Sequence, residues 1–124
     1  MSLAVTITDV DYSAGDSFIV RGTITPSGNY PTTGDTLSFA SQDQIKSGSV
    51  PKDVRIYSAK PTSAAQTNLF EYNYVPGTTI ANGKMQIFTG AAAQTALTEL
   101  SAGAYPAGVT SDVIQFTATF PKFV

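Results

Sequence analysis

The chain contains no cysteine and no histidine. The first absence excludes disulfides, a thiol nucleophile and any cysteine-ligated metal. The second removes the commonest general base and the commonest ligand of a catalytic zinc. Tryptophan is also missing, so six tyrosines and seven phenylalanines make up the aromatic content. Charge is scarce, at 13% of residues against about 25% in typical soluble domains. A net charge of -2 suits neither a polycation that binds nucleic acid nor a strongly acidic tail. No stretch resembles a signal peptide, and none is apolar for long enough to span a bilayer. Neither a membrane nor a nucleic-acid partner is therefore expected. The low charge fits an ordinary small β domain with an uncharged polar surface. It also fits a surface partly covered by other subunits, because interface cores are depleted in Lys, Glu and Asp.

What the chain does have is period-two alternation. At 124 residues it suggests one β domain, 1–124, with short terminal arms. The clearest stretch is Leu69 to Thr89. Phe70, Tyr72 and Tyr74 fall on one parity, and Glu71 and Asn73 on the other, which predicts a strand. Pro76-Gly77 stops it, and Lys84 to Thr89 returns with Met85 and Ile87 on one face. Asn82-Gly83 is the dipeptide favoured at a tight hairpin turn, which predicts a positive φ at Gly83. This hairpin is expected to be the central ribbon of the domain.

Further strands are expected at Leu3–Thr8, Ser17–Thr25, Asp35–Phe39, Asp53–Ala59 and Asp112–Phe120, with a short extended piece at Leu97–Leu100. Gly22, inside the second strand, signals a bulge or a close backbone approach. The intervening segments Asp9–Asp16, Pro26–Gly34, Ala40–Pro51, Lys60–Asn68, Gly90–Ala96 and Ala102–Ser111 read as turns or loops, with no substantial helix. The fold class is all-β: an antiparallel β-sandwich or a small, jelly-roll-like barrel. Alternation places Val5, Ile7, Phe18, Val20, Ile24, Val54, Ile56, Phe70, Tyr72, Met85, Ile87, Ile114 and Phe116 in the core. One echo stands out. Tyr30-Pro31 precedes Gly34-Asp35 and a run ending in Phe39. Tyr105-Pro106 precedes Ser111-Asp112 and a run ending in Phe116. Two loops built alike are expected to enter strands in related positions.

Catalytic chemistry finds little support. Glu71 and Glu99 are the only glutamates, and a glycosidase would need paired carboxylates. Glu71 among aromatics reads as a cross-strand partner for Arg or Lys. Asp9, Asp11 and Asp16 are close enough for an oxygen-ligand calcium site, but the spacing lacks the EF-hand Gly and closing Glu. An Asp-rich turn is the simpler reading. Tyr12, Tyr30, Tyr57, Tyr72, Tyr74 and Tyr105 could supply a sugar-stacking platform, although tyrosine in a strand more often packs than binds. No catalytic residue, cofactor site or metal site is assigned.

Three segments, Gly22–Phe39, Phe70–Gly108 and Thr110–Phe123, carry a family resemblance. Their features are the loop Ser27-Gly28-Asn29-Tyr30-Pro31 running to Gly34-Asp35, and Asn82-Gly83-Lys84 leading to Phe88-Thr89-Gly90. Ala102-Gly103-Ala104-Tyr105-Pro106 before a Phe116-x-Ala118-x-Phe120 strand completes them. They resemble small structural proteins of tailed bacteriophages, of the capsid cement or decoration type. The resemblance implies a non-enzymatic β module, often a homotrimer, that binds the major capsid protein on the virion exterior after synthesis in the host cytoplasm. It gives no residue-level site. Met1, Leu3, Tyr30, Pro31, Tyr105, Pro106, Phe120, Phe123 and Val124 are the candidate contact residues, chosen as apolar ends and Tyr-Pro loops. A carbohydrate-binding sandwich and a phage tail or head-completion subunit are the alternatives.

Overall fold

The computed structural model describes residues 3–13, 15–40, 42, 45, 50–58, 69–90 and 96–122. The chain is an antiparallel β-sandwich, not a closed barrel. One sheet contains β1 (Leu3–Asp11), β2 (Ser17–Pro26), β5 (Asp53–Ser58) and β10 (Ile114–Pro121), in the order β1-β2-β10-β5. The other contains β4 (Asp35–Leu37), β6 (Leu69–Val75) and β7 (Gly83–Gly90), in the order β4-β7-β6, with β8 (Thr98–Glu99) also paired to β7. A small ribbon joins β3 (Asn29–Tyr30) to β9 (Gly103–Ala104). The single helix among the described residues, α1 (Ala107–Thr110), is one turn long. Across the sandwich β1 lies near β4 and β5 near β6. No helix among the described residues is long and apolar enough to cross a membrane.

Alternation explains the layering. Along β10, Ile114, Phe116, Ala118 and Phe120 are buried while the residues between them are half-exposed. In β2, Phe18, Val20, Gly22 and Ile24 are buried on the same side. The centre is aromatic. Phe39 packs against Phe116 and Phe120 at ring separations of 5.4 Å each, and Phe120 stacks on Phe18 at 5.4 Å. All thirteen residues assigned to the core by alternation are buried or packed against it. That assignment left out Leu3, Tyr30, Leu37, Phe39, Ile45, Tyr105, Val109, Ala118 and Phe120, which are also buried. Most of these sit in loops or very short strands, where no period is long enough to read.

Gly22 meets both parts of its expectation. A Cβ there would stand 2.0 Å from the Thr6 carbonyl oxygen and 2.9 Å from the Phe116 ring. Opposite it, β1 bulges: Ile7 pairs with Gly22 and Asp9 with Arg21, so Thr8 is the extra residue. The close approach and the bulge belong to one contact.

Two expectations are corrected. The hairpin is not the central ribbon: β7 has neighbours on both sides, but β6 is an edge strand. Asn82-Gly83 is not a two-residue turn either. Val75 pairs with Lys84, so the connection is wider. Asn82 organises it, its Oδ1 accepting from the backbone N–H groups of Thr78 and Thr79 at 2.8 Å each. Gly83 begins β7 opposite Leu37 and is not among the positive-φ glycines. A Cβ there would lie 2.3 Å from the Tyr74 hydroxyl, so any other residue requires that ring to move.

Smaller differences follow from local geometry. The loops predicted at Pro26–Gly34 and Ala102–Ser111 contain β3, β9 and α1. The strands that follow the two echoed loops are not equivalent, since β4 is an edge of one sheet and β10 is interior to the other. Lys60–Asn68 lies outside the described residues, as does most of Gly90–Ala96 and of Ala40–Pro51.

Two predictions follow from this packing. Phe116→Ala is expected to cost about 3–5 kcal/mol in denaturant unfolding; a loss below about 1 kcal/mol would overturn the assigned packing. Gly83→Val is expected to destabilise by overpacking, about 1–3 kcal/mol or more. Because the obstacle is the Tyr74 ring, Tyr74→Leu in the same chain should recover part of that loss. No recovery would place the strain in the backbone instead.

Candidate functional site

The two Tyr-Pro loops come together. Asn29 pairs with Ala104 and Tyr30 with Gly103, and the Tyr30 and Tyr105 rings meet edge to face at 5.9 Å. Both tyrosines are interior, at 1% and 7% exposure. Gly103 holds φ 144° and so supplies a backbone conformation that side-chain-bearing residues avoid. Thr33 holds φ 75°, a region that costs a β-branched residue on the order of 1–3 kcal/mol. Gln86 Nε2 donates to its carbonyl at 3.2 Å and helps to hold it.

Three tyrosine hydroxyls at this end of the sandwich donate to carboxylates. Tyr30 gives to Glu99 at 2.7 Å, Tyr105 to Asp35 at 2.5 Å and Tyr72 to Asp112 at 2.7 Å. Ser58 Oγ gives to the other Asp112 oxygen at 2.5 Å, so β5, β6 and the start of β10 are tied at one point. The Tyr30 hydroxyl also accepts from the Ile87 N–H at 3.1 Å. It does so at the gap between β4 and β8 along β7, where no strand supplies an acceptor. Burial, together with Glu99, pushes the Tyr30 hydroxyl up to about 12, against the Ile87 N–H, which favours the anion. Burial and then the Asp112 carboxylate raise Tyr72 further, and burial raises Tyr74.

This geometry corrects the candidate contact residues. Tyr30, Tyr105, Leu3 and Phe120 are core residues and offer no docking surface; their apolar bulk is satisfied by the domain itself. Pro31 is exposed and Pro106 half-buried. Met1, Phe123 and Val124 lie outside the described residues. Leu3 pairs with the last residue of β2 and Pro121 with its first, so these two residues stand at opposite ends of a ten-residue strand, about 30 Å apart.

The acidic turn is divided among separate partners. Asp9 pairs with Arg21 at 2.9 Å, and Asp16 lies 3.8 Å from Lys52. Asp11 accepts from Ser13 Oγ and N, which holds its carboxyl below the ordinary range. Glu71 stands opposite Phe88 rather than a basic residue. Among the tyrosines only Tyr12 and Tyr57 are well exposed, at 46% and 44%. They belong to opposite edges of the first sheet: Tyr12 follows β1 and packs at a tilt against Phe18, while Tyr57 is on β5.

What emerges is a molecule polarised along its strands. Among the described residues, the loops 27–33 and 101–111 of the Tyr-Pro end include no charged side chain; the Asp35, Glu99 and Asp112 carboxylates beside them accept from tyrosines. Exposed ion pairs Asp9–Arg21 and Asp53–Arg55, with Asp16, Lys52 and Lys122, gather toward the other end. Sequence reading missed this polarity because it is assembled from two loops 70 residues apart; the uncharged runs themselves were visible. Comparison with protein-family models, with curated proteins and with solved structures finds no match.

The tyrosine–carboxylate pairs predict alkaline lability. Tyr30 in the folded chain titrates near 12, above the ordinary value of about 10. Its contribution to stability is complete below pH about 10 and is lost as pH rises through about 12. Ultraviolet titration should show late-ionising tyrosines whose ionisation accompanies unfolding. Tyr30→Phe should remove one of them and cost about 1–3 kcal/mol, because the Ile87 N–H loses its acceptor. Early ionisation of every tyrosine would contradict the arrangement.

Proposed function

We propose that this chain is a non-enzymatic capsid decoration protein of a tailed bacteriophage. It binds the major capsid protein on the outer surface, as a homotrimer, and stabilises capsomer junctions on the virion exterior. The observation that carries this reading is the pair of adjoining Tyr-Pro loops, whose described residues carry no charge, the same loops on which the family resemblance rests. Interface cores are depleted in charge, and this end offers Pro31, Ala102, Ala104 and Ala107 among exposed serine, threonine and asparagine. Beneath it the Tyr30–Tyr105 pair and its carboxylate anchors fix the loops, so little ordering entropy is lost on binding. The opposite, ion-paired end faces solvent. Three copies at a threefold point act together and gain avidity from contacts that are individually weak. The sugar-binding alternative has less to stand on, because the two well-exposed tyrosines lie on opposite sheet edges.

The test is attachment to capsids that lack this protein. The chain should co-sediment with them at saturable stoichiometry and raise their melting temperature, as any ligand of the assembled state does. Pro31→Asp combined with Ala104→Asp places charge on the docking end without touching the core, and should weaken attachment while leaving the isolated chain's melting temperature nearly unchanged. Failure of the wild-type chain to associate with capsids would overturn the proposal.

A further inference from the structure

Unpaired sheet edges are templates for another strand, and proteins blunt them by bulges, charges, prolines or short length. The edges of this sandwich can be compared one by one. β1 carries the bulge at Thr8 and the acidic residues Asp9 and Asp11. β5 carries the Asp53–Arg55 ion pair. β4 is three residues long and β8 two. The strand β6 is the least protected, with the single charge of Glu71 as its one such device: it is seven residues long, pairs with β7 without a register shift, and meets proline only after its last residue. Among the described residues β7 is its only strand partner.

We propose that β6 of one molecule pairs antiparallel with β6 of a second copy, about a twofold axis at Tyr72. The sequence of the strand chooses this occupant. In that register Tyr72 faces Tyr72 of the second copy, Phe70 faces Tyr74, and Glu71 faces Asn73. Aromatic residues meet aromatic residues on the core side, which stabilises cross-strand pairs. On the outer side the one carboxylate meets an amide donor, so no like charges are opposed. Either hydrogen-bonding phase of an antiparallel ladder admits a twofold axis at a residue. A twofold contact of this kind uses one patch on both molecules. It goes beyond the capsid reading and does not rest on it; joined to a threefold contact, it would link trimers in pairs.

The natural chain has no cysteine, so introduced thiols report alone. Two single variants, Glu71→Cys and Asn73→Cys, are mixed and treated with diamide as thiol oxidant. Directly opposed residues have Cα atoms about 4.5–5.5 Å apart, inside the disulfide range, whereas self-pairs sit diagonally at about 7–8 Å. The mixed disulfide should therefore predominate over both self-disulfides. Equal or absent cross-linking would overturn the register. Separately, sedimentation equilibrium should show Asn73→Lys tightening and Asn73→Glu weakening self-association, each by about twofold to thirtyfold for two opposed pairs. Unchanged association in both would overturn the contact. A mixed-disulfide dimer that ignores capsids keeps this pairing and removes the capsid reading; capsid binding without mixed disulfide does the reverse.

Discussion

The Tyr30 hydroxyl stands where a strand would otherwise be. β7 is flanked on one side by β4 and then β8, and between them the Ile87 N–H has no ladder partner except this phenol. A buried N–H left unpaired costs more than an ordinary hydrogen bond contributes. The ring therefore has to be inside, and with it the loop that carries it. Glu99, at the end of β8, accepts the phenolic hydrogen, and the Leu100 N–H donates to the Ile87 carbonyl at 2.8 Å. Both backbone groups of Ile87 are thus satisfied by the segments that build the Tyr-Pro end.

The second tyrosine completes the arrangement by exchange. Tyr105, from the later loop, donates to Asp35, which follows the earlier loop. The paired backbones of β3 and β9 and the edge-to-face rings leave each loop dependent on the other. Asp112, the acidic residue of the later repeat, instead takes Tyr72 and Ser58 and clips the two sheets together. Only Asp35 receives a tyrosine of the echo; Asp112 takes Tyr72, which lies outside it. Nor is the echo a repeat of position, because the strands it precedes occupy different places in different sheets.

Uncharged loops at one end and exposed ion pairs toward the other give the molecule a direction. Exposed ion pairs contribute little stability, so their clustering matters more for solubility and orientation than for the fold. The tyrosine–carboxylate bonds lie on the opposite side of that balance. They are charge-assisted, with Tyr105–Asp35 buried and the other two partly buried, and charge-assisted bonds are among the strong ones.

The sequence by itself determined the layers. Alternation in Ser17–Pro26, Leu69–Val75 and Ile114–Pro121 fixes which side chains can face inward, because a strand slipped by one residue would turn its apolar face to water. It also marked Gly22, whose missing Cβ was legible as a close approach. The partners were not legible. That Asn82-Gly83 closes a wider connection rests on the Asn82 amide holding the Thr78 and Thr79 N–H groups. That Tyr30 and Tyr105 are core rather than contact residues rests on distant partners, the Ile87 N–H for one and Asp35 for the other. Periodicity reports the environment of a residue along its own strand. Only the tertiary structure decided which distant groups would meet, because those choices are made by unpaired polar atoms and by space, and neither has a period.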